Sequence, residues 1–146
     1  MDLKKQTQTR EIKFRAWDKT YSLMNYKVQV GNTDYADQNY TCNSIWVDYG
    51  DNKSIGWMNA DDKCIDLMQY TGMKDRNGKE IYEGDIVTHL HSADTCVVIF
   101  QKETAMFLAQ EIGDEKLGFG IEDVTAVIGN IYENADLLSE VSWGCR

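Results

Sequence analysis

The chain has no proline in 146 residues, where average usage would supply about seven. That excludes proline-rich linkers and leaves no composition break to mark an internal domain boundary. Long apolar runs are missing too: none is longer than the five residues of Cys96 to Phe100, far short of the ~20 residues that cross a bilayer. The opening MDLKKQTQTR is positively charged with no apolar core behind it, which is not the pattern of a secretory signal, so the expected compartment is the cytoplasm. The cysteines Cys42, Cys64, Cys96 and Cys145 form no CxxC pair. Zinc-ribbon and thioredoxin-like readings therefore fall away, and the cysteines are expected to be small apolar fillers or surface thiols. No repeat of solenoid length, no GxxxxGK[ST] loop and no GxSxG elbow is present.

What is present is a globular composition, 42% hydrophobic and 11% aromatic, of a length that suits one core. The net charge of −9 is unevenly placed: residues 1–30 carry seven Lys/Arg against three Asp/Glu, and residues 31–146 carry eight against 21. An acidic body repels phosphate backbones, which disfavours broad nucleic-acid binding. The basic start reads as a solvated strand face beside a loose end.

Periodicity points to β-structure throughout. Glu11 to Trp17 alternates, with Ile12, Phe14 and Ala16 on one face and Glu11, Lys13 and Arg15 on the other. Leu23 to Val30 is read as its returning partner, giving an N-terminal hairpin. Ile45–Val47 and Ile55–Met58 suggest a second short pair, Asn59–Asp62 a helical turn, and Ile65–Tyr70 fits helix or strand equally. Leu67 to Val87, LMQYTGMKDRNGKEIYEGDIV, is the most informative stretch. Asp75-Arg76-Asn77-Gly78 has hairpin-turn chemistry, bracketed by Gly72 and Gly84 as kink or bulge positions. Cys96–Phe100 is apolar on both faces and predicts a central strand buried on two sides. Gly118-Phe119-Gly120 reads as a β-turn, and Asn134 as the N-cap of a short helix over Ala135–Leu138. Eight or nine short strands at this spacing predict a mainly β fold. The expected form is a small SH3-like, partly open barrel over Leu67–Tyr132, with an added N-terminal β-hairpin and one or two short helices.

Candidate chemistry is sparse. His89 and His91 share a strand face near Asp94 and Cys96, but no spaced partner pair completes a metal site, so none is assigned. Adjacent acidic pairs such as Asp61-Asp62, Asp114-Glu115 and Glu122-Asp123 point to opposite faces of a strand and seldom converge on one substrate. Cys96 lies in an apolar strand that disfavours its thiolate. No catalytic or cofactor-binding residue is assigned, and the chain is expected not to be an enzyme. Trp17, Trp46, Trp57 and Tyr26, Tyr35, Tyr40, Tyr49 make the first half rich in aromatics, as core material or as a binding surface.

Three ordered motifs carry a family resemblance. Leu67–Val87 closely resembles the signature of the YopX family, Arg10–Asp18 (REIKFRAWD) resembles its opening strand, and Val127–Asn134 (VIGNIYEN) its close. The resemblance implies a small β protein encoded by phages and prophages of mainly Gram-positive bacteria, with no known activity and no catalytic residues to carry over. It divides the chain into a lead-in over residues 1–9, one domain over 10–138 and a tail over 139–146. Residues 31–62 match no motif of the family and are where individual behaviour is expected to reside. Three functional expectations follow. The first is a non-enzymatic accessory protein that binds a host or phage protein, for instance inhibiting a host defence or nucleic-acid-handling enzyme through its acidic surface. The second is a homo-oligomer that sequesters a small nucleotide-type ligand at Lys13, Arg15 or the Arg76/Lys79 turn. The third is a DNA-binding phage regulator using the basic hairpin.

Overall fold

A computed structural model describes residues 10–31, 44–50, 57–59 and 64–139. Twelve strands lie within them: β1 (Phe14–Asp18), β2 (Leu23–Asn25), β3 (Val28–Gly31), β4 (Ser44–Asp48), β5 (Trp57–Asn59), β6 (Ile65–Lys74), β7 (Glu80–Tyr82), β8 (Asp85–His89), β9 (Cys96–Gln101), β10 (Met106–Glu111), β11 (Gly118–Gly120) and β12 (Val124–Asn130). A 3-10 turn over Ile121–Asp123 and a one-turn helix α1 (Asp136–Ser139) complete the order. The fold is mainly β, as expected, and the sheet of the second half curls into a half-barrel.

The strands form three antiparallel groups, ordered β2-β1-β6-β7, β11-β10-β9-β8-β12 and β3-β4-β5. The N-terminal hairpin does not simply pack on the half-barrel. It is built into one sheet with β6, Phe14 opposite Gln69 and Asp18 opposite Ile65. This settles Ile65–Tyr70 as strand: its apolar residues meet a preformed partner in β1, and cross-strand pairing outweighs a weak local preference. The expected single strand Leu23–Val30 is two strands. The break falls at Tyr26-Lys27, where the Asn25 side chain accepts the Lys27 N–H at 2.8 Å and turns the chain. After the break β3 leaves β1 and pairs with β4, Val28 opposite Val47. The predicted Ile45–Val47 strand and Trp57–Met58 do pair, within β4 and β5. Residues 60–62 of the predicted helical turn, and Ile55, lie outside the described residues.

Two cores result. Ile81, Val87, Cys96, Val98, Ala109, Ile121 and Val124 fill the half-barrel, while Ala16, Ile45, Val47 and Ile65 lie under the N-terminal sheets. Each Val or Ile among them contributes about 1.5–3 kcal/mol when fully buried. β9 is central, but only Cys96 and Val98 are fully buried. Val97 and Ile99 are half-covered and Phe100 is exposed, so burial on both sides is not observed. Gly118–Gly120 is the edge strand β11 rather than a turn, because Phe119 pairs with Ala109 and packs on the half-barrel core. Gly72 and Gly84 have φ of +89° and +79°, and the β6–β7 register shifts between Tyr70 and Lys74, so the bulge and kink expectations hold.

Candidate functional site

The signature stretch folds into a joint between the two sheets. Asp75 closes the hairpin turn: its Oδ1 accepts the N–H of Asn77 and of Lys79, each at 2.9 Å, and Gly78 takes φ +84°. Its Oδ2 accepts the N–H of Val127 at 2.9 Å, and Arg76 donates its own N–H to the Thr125 carbonyl. β12 is an edge strand, and an unpaired edge is a template for another chain. Here the turn occupies two of its backbone groups. Burial would raise the Asp75 carboxyl, but the Val127, Lys79 and Asn77 donors outweigh it and hold the group below its ordinary range.

Behind the turn lies a buried ion pair. Arg15 donates to Asp85 at 2.7 Å and to the Glu83 carbonyl at 3.0 Å, with its guanidinium over the Tyr82 ring. Asp85 also accepts the Tyr82 N–H at 2.8 Å. Burial pushes the Asp85 carboxyl up, against the opposing pull of Arg15 and that N–H. The expected solvated face for Arg15 is therefore wrong, since the residue is 3% exposed. The opening motif supplies the cation and the signature supplies the anion, so two sequence motifs far apart make one contact. The closing motif is equally structural. Asn130 Oδ1 accepts the N–H of Tyr132 and Glu133, and Asn134 Oδ1 accepts the Asn130 N–H. Asn134 thus bonds backward and does not cap α1 with its side chain.

The other candidates are also committed. Lys13 is paired with Glu80 and Glu11, which push its ammonium above its ordinary range. Of the four basic residues named for a phosphate, only Arg76 and Lys79 form no salt bridge among the described residues. His89 is buried, its Nε2 2.8 Å from the Gly120 carbonyl and its Nδ1 accepting the His91 N–H. His91 instead meets Asp123 at 3.2 Å. Among the described residues no group of three His, Cys, Asp or Glu is placed to hold a metal. Burial pushes the Cys96 thiol up. Trp17 stacks on Tyr132, whereas Tyr26 and Trp46 are exposed. Trp57, Tyr35 and Tyr40 have no described side chain, and Asp61-Asp62 lie outside the described residues.

The feature that sequence reasoning missed is a groove of about 490 Å³ between the end of β6 and the β9–β10 hairpin. Its lips are apolar and open to solvent, with Met73 41%, Phe100 45% and Met106 54% exposed. Arg10, Thr71 and Glu122 also line the groove. Ala105, in the hairpin turn at its mouth, has φ +53°, a conformation that costs a non-glycine residue energy. Exposed apolar side chains gathered at one concavity are the ordinary mark of a contact surface. Nothing local marks them, because Met73 sits in the signature and the other two lie far along the chain.

Fold and site define a small, mainly β half-barrel domain whose sequence signatures are spent on its own architecture. A family model, YopX protein, matches residues 13–139, and the chain belongs to the YopX family. Among solved structures it is similar to protein EF1440 from Enterococcus faecalis, with a TM-score of 0.58 at 25% sequence identity, covering 89% of this chain and 99% of that one. No curated protein matches the chain. No helix among the described residues is long and apolar enough to cross a membrane.

Proposed function

We propose that this chain is a non-enzymatic phage accessory protein that binds a segment of a partner protein in the Met73–Phe100–Met106 groove. The observation that carries the reading is the groove's apolar, solvent-open lip set in an acidic half of the molecule. Residues 85–139 carry ten Asp/Glu and two Lys, and Glu122 stands in the groove wall. The fitting occupant is an extended segment with an apolar side chain next to Lys or Arg. The apolar group fills the lip, and the acidic surround speeds encounter and selects sign. A basic groove of a host defence or nucleic-acid-handling enzyme offers such segments, and its inhibition is the biological form of the proposal. A nucleotide-sequestering role has less support, since Lys13 and Arg15 are already ion-paired. The acidic second half likewise argues against DNA.

Selection from a displayed random-peptide library tests the reading. The expected result is enrichment of peptides with an apolar residue flanked by Lys or Arg, and loss of their binding in Met106→Asp. Enriched peptides that bind Met106→Asp equally well would reject the groove. Enrichment of the chain's own segments would point to self-association instead.

A further inference from the structure

On the opposite side of the signature hairpin, Arg15 has an unspent donor. Two contacts of its guanidinium go to Asp85 and to the Glu83 carbonyl, both through Nη2. Its Nε–H is shielded from solvent and has no hydrogen-bond partner. A buried donor left unpaired is unfavourable, more so on a charged group, and asks for an acceptor. Arg15 is also one wall of a hollow of about 200 Å³, the others being Tyr26, Lys79, Glu80 and Tyr82. That volume is below the range of pockets that hold whole drug-sized ligands, and suits a single chemical group.

The charges around the hollow define which group. Arg15 is offset by Asp85, and Lys13 is shared between Glu80 and Glu11. Lys79, by contrast, forms no salt bridge among the described residues, so it is the one cation lining the hollow that stands outside an ion pair. Its backbone is fixed by the turn, with its N–H on Asp75 and its carbonyl accepting from Asp75, while its side chain is exposed. The Tyr26 and Tyr82 rings meet edge to face, 6.1 Å apart, and give the hollow an aromatic wall. We infer that this hollow is a binding subsite for a carboxylate, held by Lys79 and the Arg15 Nε–H and flanked by the two tyrosine rings. A planar monoanion matches this pair of donors, one oxygen on the Lys79 ammonium and the other on the remaining Arg15 Nε–H. A phosphate dianion matches less well, because Glu80 also faces the hollow. Entry of the carboxylate displaces Tyr26, the exposed wall, and brings the guanidinium's free donor into use.

The test is an amide-resolved NMR titration of the full chain with sodium benzoate, sodium acetate and inorganic phosphate, at ionic strength held constant with chloride. The account expects saturable shifts confined to the amides around Tyr26, Lys79 and Tyr82. Benzoate should bind tighter than acetate, and both tighter than phosphate. Lys79→Gln, whose backbone contacts are unchanged, should weaken benzoate binding about tenfold, the loss of roughly one charge-assisted hydrogen bond. Tyr26→Ala should erase the preference for benzoate over acetate. Shifts that do not saturate, that phosphate reproduces at equal or lower concentration, or that persist unchanged in Lys79→Gln would overturn the assignment. Binding seen in both variants and spread over the surface would mean an adventitious anion only.

Discussion

Replacing Asp75 with alanine removes one side chain that three backbone N–H groups use, those of Asn77, Lys79 and Val127. The first two donors sit in an exposed turn and find water, so each loss resembles a missing cap, roughly 0.5–1 kcal/mol. The Val127 donor is part-buried on β12 and bonded to a charged acceptor, worth about 1.5 kcal/mol or more. The sum is about 3 kcal/mol, or ~6–12 °C in melting temperature for a chain of this length. Urea denaturation measures it directly, and amide hydrogen exchange localises it: Val127 and Thr125 should lose protection before the centre of β9. A charge term adds a pH signature. The carboxyl is held below its ordinary 3.8 in the folded chain, so its stabilisation is complete above that value and is lost as pH falls through the folded one. Asp75→Asn should therefore flatten the acid limb of the stability curve as well as lower its plateau. A loss under 0.5 kcal/mol, with Val127 protection and the acid limb unchanged, would refute the view that this turn seals the β12 edge.

Breaking the buried pair from one side, as in Arg15→Met or Asp85→Leu, should cost ~3–5 kcal/mol. The double substitution should recover much of that in urea midpoint, giving a strongly non-additive cycle. Gly129→Ala should destabilise by about 1–3 kcal/mol, because its Cβ would lie 2.6 Å from Asn134 Oδ1; differential scanning calorimetry reads this as a lower midpoint. Tyr49, Tyr82 and Tyr132 are each pushed up to about 12, by burial first and then by carboxylate neighbours. Phenolate absorbance should therefore show a late group near pH 12. Because the folded chain keeps protons that the unfolded chain releases, stability should fall as pH rises from 10 toward that value.

Much of the architecture was legible because it rests on local chemistry. The Asp75–Gly78 turn, the bulge at Gly72 and the kink at Gly84 were readable from residues that tolerate positive φ. Cys96–Phe100 was readable as a central strand from its apolar run. What failed depended on partners distant in sequence. Arg15 alternates with apolar residues and reads as solvated, yet Asp85, 70 positions later, brings it inside. Asn134 has the chemistry of an N-cap, but the bulge at Gly129 places the Asn130 N–H within its reach, and that donor wins. Phe119 between two glycines reads as a turn until Ala109 supplies a strand to pair with. The groove is the extreme case, since its lip exists only when β6 and the β9–β10 hairpin meet.

The family signatures, on this account, chiefly hold the fold together, and recognition of a partner segment belongs to the groove. Calorimetric titration of a library-selected apolar-basic peptide into the wild-type chain, Met106→Asp and Asp75→Asn tests that division most directly. The account predicts at least about a tenfold loss of affinity for Met106→Asp, the removal of one buried apolar anchor. Asp75→Asn should bind at the wild-type level under conditions where it remains folded. Wild-type affinity in Met106→Asp, or loss of binding in a folded Asp75→Asn, would contradict it.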